Sequence, residues 1–142
     1  MAELRKQFPS AYECVGPARR AVVDFARQWF SGEELGDIEY AVGEALSNSA
    51  EHGHTNGTSI DIICRCDGAE LIVEVKDSGA GFARWNASDY VRPMSNSARG
   101  YGTFIMRELM DEMEYSERGT RLRLSKRLPN AASCEGGERR RA

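Results

Sequence analysis

Two short runs of alternating residues meet at Asp67 and Gly68. Before the junction, Ile60, Ile62, Cys64 and Cys66 alternate with Ser59, Asp61, Ile63 and Arg65; after it, Leu71, Val73, Val75 and Asp77 alternate with Ile72, Glu74 and Lys76. A period of two puts each set on one face of a strand, and Asp-Gly between two such runs predicts a β-hairpin. The hairpin then has an apolar face that must be covered. Just ahead of it, Ile38, Ala41, Val42, Ala45, Leu46 and Ser49 recur at helical spacing. This helix is predicted from about Asp37, read as its N-cap, to Gly53, read as the glycine past its end. An earlier helix opens at Gly16 and Pro17, with proline at its tolerated first position, and carries Ala18, Val22, Phe25, Ala26 and Trp29 to about Phe30. Ser31 and Gly32 break it. Leu4, Lys6 and Phe8 alternate weakly, as in a short strand before Pro9. A third helix is predicted from about Tyr101 to Glu112 with Ile105, Leu109 and Met113 inward. Glu117, Arg118 and Gly119 then make a turn into a closing strand carrying Leu122, Leu124 and Leu128. Helices and a hairpin-built sheet in this proportion predict a two-layer α+β sandwich.

The chain has 142 residues, within the usual ~100–200 of one domain. At that size ~68% of the unfolded surface can be buried without a disulfide or metal staple. Residues 1–128 are expected to form the domain. Residues 129–142, with Arg139, Arg140 and Arg141 as a like-charge block, read as a disordered tail. A net charge of −3 provides no basic footprint for nucleic acid. Nowhere do the ~20 apolar residues of a membrane span occur together. The opening MAELRKQFPS lacks the apolar stretch of a signal peptide, so the expected location is the cytoplasm. Cys14, Cys64, Cys66 and Cys134 fit no framework spacing and are expected to stay thiols in a reducing compartment. Cys64 and Cys66 with His52 and His54 would make a cramped zinc set, because structural zinc uses wider spacings. Buried strand thiols are the expectation.

Chemistry-bearing residues concentrate in three places. Glu44, Asn48 and His52 lie four apart on the second predicted helix, a stripe drifting ~40° per step. With Ile38 at zero, Glu44 falls near ~240° and Asn48 near ~280°, beside an apolar stripe centred near ~10°. Such flank positions are half buried, where a carboxylate and an amide can line a pocket or simply edge the helix. Asparagine in mid-helix is locally unfavourable, which favours a functional reason. Asp77 continues the inward face of Leu71, Val73 and Val75, and aspartate is rarely buried without partners. Behind it, Gly79 and Gly81 permit tight turning and close approach of backbone to a ligand. Gly100 and Gly102 form a second pair at a predicted helix start, where unpaired amides favour anions. Between the pairs, residues 83–99 show no periodicity, and a loop that long is uncommon unless functional or disordered.

Read in order, the segments EALSNSAEHG (44–53), DSGAGF (77–82), RGYG (99–102) and GT (119–120) resemble the N, G1 and G2 boxes and the closing Gly-Thr of the Bergerat-fold (GHKL) ATPases. That superfamily includes gyrase B and the histidine kinases. Within it the chain is most similar to the anti-sigma-factor serine kinases. The small size, the absence of a separate dimerisation-helix domain and the stretch GYGTFIMRELMDE carry the likeness, which spans roughly residues 5–128.

The resemblance implies a mixed, largely antiparallel sheet with helices on one face, and a site that takes ATP and Mg²⁺. By position, Asn48 would hold the cation that bridges the phosphates, and Glu44 would orient or deprotonate the attacking serine hydroxyl. Asp77 would accept the adenine amine with support from Thr120, while Gly79 and Gly81 let the backbone pass the nucleotide. Residues 83–99 would be a lid, mobile without nucleotide. Gly100, Tyr101, Gly102 and Thr103 would line the phosphates. His52 would serve the nucleotide side or fix the helix end. The family's lid usually supplies a basic residue near the second glycine pair; Arg92 and Arg99 are the candidates here. The implied function is an ATP-dependent serine kinase that sequesters an RNA polymerase sigma factor and phosphorylates an anti-anti-sigma (antagonist) protein. A homodimer is implied as well, with no direct contact to nucleic acid or membrane. Two other readings stay open: a non-catalytic binding module modulated by ATP, and a histidine-kinase-like catalytic fragment.

Overall fold

The computed structural model describes residues 1–53, 58–78, 98–117 and 120–129. Strand β1 (Ala2–Pro9) leads through a 3-10 turn (Tyr12–Cys14) into helix α1 (Val15–Ala26) and helix α2 (Gly32–Gly53). The hairpin follows as β2 (Ser59–Cys66) and β3 (Glu70–Asp77), then α3 (Ala98–Leu109), β4 (Glu112–Ser116) and β5 (Arg121–Arg127). The five strands form one sheet in the order β1-β2-β3-β5-β4, and every pairing is antiparallel.

Asp67 and Gly68 make the predicted turn: Gly68 has φ +93°, and the Asp67 carboxylate accepts from the amides of Ala69 (2.9 Å) and Glu70 (3.1 Å). Alternation does the rest. Ile60, Ile62, Cys64, Cys66, Leu71, Val73 and Val75 face inward with Leu122 and Leu124, and the helices cover them with Val22, Ile38, Val42, Leu46 and Met106. Both strand thiols lie in this core, where burial pushes Cys64 up to about 12 and keeps it protonated. The opposite face of the sheet is charged but internally matched. Arg121 pairs with Glu74 (2.7 Å), Lys76 with Glu117 (3.3 Å) and Arg65 with Glu3 (3.8 Å). Among the described residues no helix is long and apolar enough to cross a membrane.

Three predicted helices change their bounds. Helix α1 stops at Ala26, short of Phe30, and Phe30 turns back into the core at the end of the following turn. Helix α2 begins at Gly32 instead of near Asp37. Gly32 adopts φ +56°, the Leu35 amide bonds to the Ser31 carbonyl, and Glu33 and Glu34 suit the positive end of the helix. Asp37, no longer a cap, faces the buried Lys126 ammonium at 4.0 Å. Helix α3 runs over Ala98–Leu109, three residues earlier at each end, and Glu112 opens a strand. The reason lies in β5. Lys126 Nζ donates to the Leu109 carbonyl (2.7 Å), the Asp111 amide donates to the Ser125 carbonyl (2.9 Å), and the Asp111 carboxylate accepts from the Arg127 amide (2.6 Å). These bonds pull the chain off the helix and onto the sheet. They also settle which face of α3 is covered: Met106 and Met110 are buried, whereas Ile105, Leu109 and Met113 are half-buried.

That choice of face is measurable. Met106→Ala should cost ~2–5 kcal/mol by urea unfolding, the usual range for emptying a core methionine site. Ile105→Ala should cost less than about half as much. Equal losses would return Ile105 to the core.

Candidate functional site

The site lies where β3 leaves the sheet under the middle of α2. Asp77 is the last residue of β3, held by its amide, which donates to the Thr120 carbonyl (2.8 Å). Next to it, the Ser78 hydroxyl accepts from the Ser59 amide (2.8 Å), and the Ser78 amide donates to the Ser59 carbonyl (3.1 Å). The chain is thus tied on both sides just before residue 79. Alternation turns the Asp77 side chain inward, and it is only 5% exposed.

Around that carboxylate is a small pocket, open to solvent and lined by Ala45, Asn48, Ser49, Val75, Asp77, Tyr115, Thr120 and Leu122. Val75, Leu122 and Ala45 form an apolar wall, while Asn48, Ser49, Asp77, Tyr115 and Thr120 are polar. An apolar wall facing several fixed polar groups suits an aromatic base with hydrogen-bonding edges. Thr120 donates its hydroxyl to the Glu117 carbonyl (2.8 Å) and keeps its oxygen as an acceptor.

Glu44 and Asn48 sit one turn apart on α2, both half-buried as the helical spacing predicts. Glu44 points towards α3. A Cβ placed on Gly102 would lie 3.1 Å from Glu44 Cδ and collide with Oε1, so a side chain there would push the Glu44 carboxylate aside. Oxygen donors of this kind suit a hard cation such as Mg²⁺. Among the described residues no three His, Cys, Asp or Glu side chains gather as a metal cluster. Mg²⁺ characteristically needs none, taking one or two protein oxygens together with phosphates.

The structure therefore brings together Asn48, Asp77 and Thr120 around one pocket, and sets Glu44 against Gly102 beside it. Thr103 lies half-buried on α3 and is not one of the residues lining this pocket, whereas Tyr115 of β4 is. Arg99, Gly100 and Tyr101 fall within the first turns of α3, so the second glycine pair lies inside the helix and not before it. Gly79, Gly81, Arg92, His54 and Gly119 lie outside the described residues, as do the lid up to residue 97, residues 130–142 and the side chains of His52, Arg99 and Tyr101. Tyr115 is the site residue that sequence reasoning missed. Its signal was present: Met113 and Tyr115 alternate with Glu112, Glu114 and Ser116, a five-residue strand obscured by the helix predicted through Glu112.

The model of the histidine kinase-like ATPase domain matches residues 8–126, which includes every element that lines the pocket. The chain belongs to that family. Its relatives include the anti-sigma F factor of Clostridium perfringens (strain SM101), 32% identical over 138 residues that cover 89% of this chain and 96% of that protein. The anti-sigma F factor of Clostridium acetobutylicum is 30% identical over 121 residues, 78% of this chain and 83% of its own. That of Thermoanaerobacter sp. (strain X514) is 32% identical over 117 residues, 77% and 82% respectively. The chain thus groups with the anti-sigma-factor kinase branch of the family, and the family is one of ATP-binding domains.

The Glu44 and Gly102 contact can be tested by stability alone. In a helix, alanine is favoured over glycine by ~1 kcal/mol. Gly102→Ala should forfeit that gain while Glu44 is present and recover it in a Glu44→Ala background. A double-mutant cycle by urea unfolding should give a coupling of ~0.5–3 kcal/mol; strict additivity would separate the two residues.

Proposed function

We propose that the chain is an ATP-dependent protein serine kinase that holds a sigma factor and phosphorylates a serine of an anti-anti-sigma protein. The observation that carries this reading is the position of Glu44. A half-buried carboxylate lies one turn from the Asn48 amide and is packed against Gly102 of α3, beside a pocket that already contains a buried carboxylate for a base. A module that only bound nucleotide would have no use for the second carboxylate there. The names of the relatives support the sigma-factor partner.

In this reading Asp77 accepts a hydrogen bond from the exocyclic amine of adenine, and the Thr120 hydroxyl oxygen accepts beside it. Asn48 offers its carbonyl oxygen to the cation, and the first turns of α3 offer amides and the positive end of a helix to phosphate oxygens. The nucleotide supplies the phosphoryl group and Mg²⁺ would offset its charge. Glu44 orients the substrate serine and takes its proton as the serine oxygen bonds to the γ-phosphorus. The bond from that phosphorus to the ADP oxygen breaks, leaving ADP and phosphoserine, and Glu44 passes its proton to solvent. Such transfer is mainly a matter of positioning and charge stabilisation.

Two measurements test this. Calorimetry should show ATP binding with Mg²⁺ present, weakened by Asp77→Asn far more than folding is, and losing its Mg²⁺ dependence in Asn48→Ala. Absence of binding by the wild-type chain would falsify the reading. Glu44→Ala should bind ATP within a few-fold of wild type but transfer phosphate to the antagonist ~10²–10⁴ times more slowly, the range for a positioned acid or base. An unchanged rate would favour the non-catalytic binding module.

A further inference from the structure

We propose that Glu117 is a positioning residue for base selection: its backbone carbonyl takes the one proton of the Thr120 hydroxyl, so that the pocket accepts a base edge that donates and rejects one that does not. The proposal rests on the ATP-binding reading above and deepens it.

Glu117 lies in the turn between β4 and β5 and has φ +52°, which among the described residues no other non-glycine residue shows with positive sign. A side chain disfavours that left-handed backbone. In this conformation the Glu117 carbonyl accepts from both the amide (3.2 Å) and the hydroxyl (2.8 Å) of Thr120. The Thr120 carbonyl in turn accepts from the Asp77 amide (2.8 Å), so one turn sets the places of both pocket residues. Its side chain holds the same two strands. Lys76 precedes Asp77, Arg121 follows Thr120, and the two cations stand directly opposite each other in the sheet, where like charges repel. The Glu117 carboxylate bridges them, 3.3 Å from Lys76 Nζ and 3.5 Å from Arg121 Nη1. Each pair is half-exposed and weak alone. Together they relieve the repulsion and offset the cost of the left-handed backbone.

The chemistry of a hydroxyl makes this contact directional. A carbonyl can only accept, so the Thr120 hydroxyl donates to Glu117, and it has one proton to give. At the pocket wall its oxygen is therefore an acceptor, as is the Asp77 carboxylate lining the same pocket. Two acceptors suit an exocyclic amine. A base with a carbonyl oxygen in that position would leave acceptors facing one another without a proton between them, which loses the bonds the site was built to make. A Thr120 hydroxyl released from Glu117 could turn and donate to that carbonyl, and the discrimination would shrink.

The readout is base preference, measured by calorimetry on the full chain with Mg²⁺ as the ratio of affinities for ATP and for ITP, which has a carbonyl oxygen where ATP has the amine. Wild-type protein should prefer ATP. Glu117→Val, whose β-branched side chain excludes the left-handed backbone, should lower that preference ~3–10-fold, the size of one hydrogen bond. Glu117→Ala should fall between the two and serves if the valine variant fails to fold. Glu117→Gly adopts positive φ freely and should keep most of the preference despite losing the carboxylate. Thr120→Val should lower the preference as far as Glu117→Val does, and the two together no further. Equal wild-type affinities for ATP and ITP, an unchanged preference in both Glu117→Val and Glu117→Ala, a loss in Glu117→Gly as large as in Glu117→Val, or additive losses in the double variant would each overturn the proposal. Wild-type protein that binds neither nucleotide is a different failure. It removes the ATP-binding reading, and the proposal with it.

Discussion

A carboxylate held inside a small core is the constraint on which the rest of this structure depends. Moving an ionised group out of water is costly unless polar partners surround it, and Asp77 is 5% exposed at the end of a strand whose previous inward residues are Val73 and Val75. The fold meets that cost in one place. Asn48 and Ser49 come from α2, Tyr115 from β4 and Thr120 from the chain entering β5, so the polar side chains converge on the single end of the sandwich where the apolar layer stops. The amide of Asp77 is itself tied to the Thr120 carbonyl, which fixes where the carboxylate stands before any ligand arrives. A concave site with a fixed polar group follows from the burial of that one residue.

Around it, the parts that would act on a ligand are mounted on regular elements and not on loose chain. Glu44 and Asn48 belong to a helix whose inner stripe is wholly buried, and Gly102 lets α3 approach that helix closely enough to hold the Glu44 carboxylate. Lys126 ties the far end of α3 to β5 and faces Asp37 on α2. A buried lysine is expensive unless its charge and its donors are used. Here its cost is offset by a helix carbonyl and an opposing carboxylate, and in return α2, α3 and the sheet are held at fixed spacing. Groups supported in this way keep the positional precision that a reacting site needs.

Much of this was legible in the chain. The hairpin was readable because Asp67-Gly68 and strict alternation are local signals, and α2 because five apolar positions and Ser49 repeat at 3.6 over its length. The inward set of Asp77 followed from the same alternation, and the half-burial of Glu44 and Asn48 from their angle to that stripe. The errors share a cause. Asp37 has the chemistry of an N-cap, yet its carboxylate is taken by Lys126, eighty-nine positions away in the chain. Glu112 continues a helical pattern, yet Asp111 is claimed by the amide of Arg127 and the chain turns into β4. In both cases a residue with a good local role was used by a distant strand.

The sequence by itself determined which residues of the hairpin and of α2 face inward, where the hairpin turns and which four segments carry the family's motifs, because periodicity and turn chemistry act between residues a few positions apart. Only the tertiary structure decided what those segments meet. Residues 48, 77 and 115 line one pocket because the sheet order places β4 outside β5 and sets Tyr115 opposite the inward-facing Leu122. A side chain at Gly102 would displace a carboxylate fifty-eight positions earlier. Such meetings depend on how layers pack, and packing brings together side chains whose separation along the chain carries no information about their separation in space.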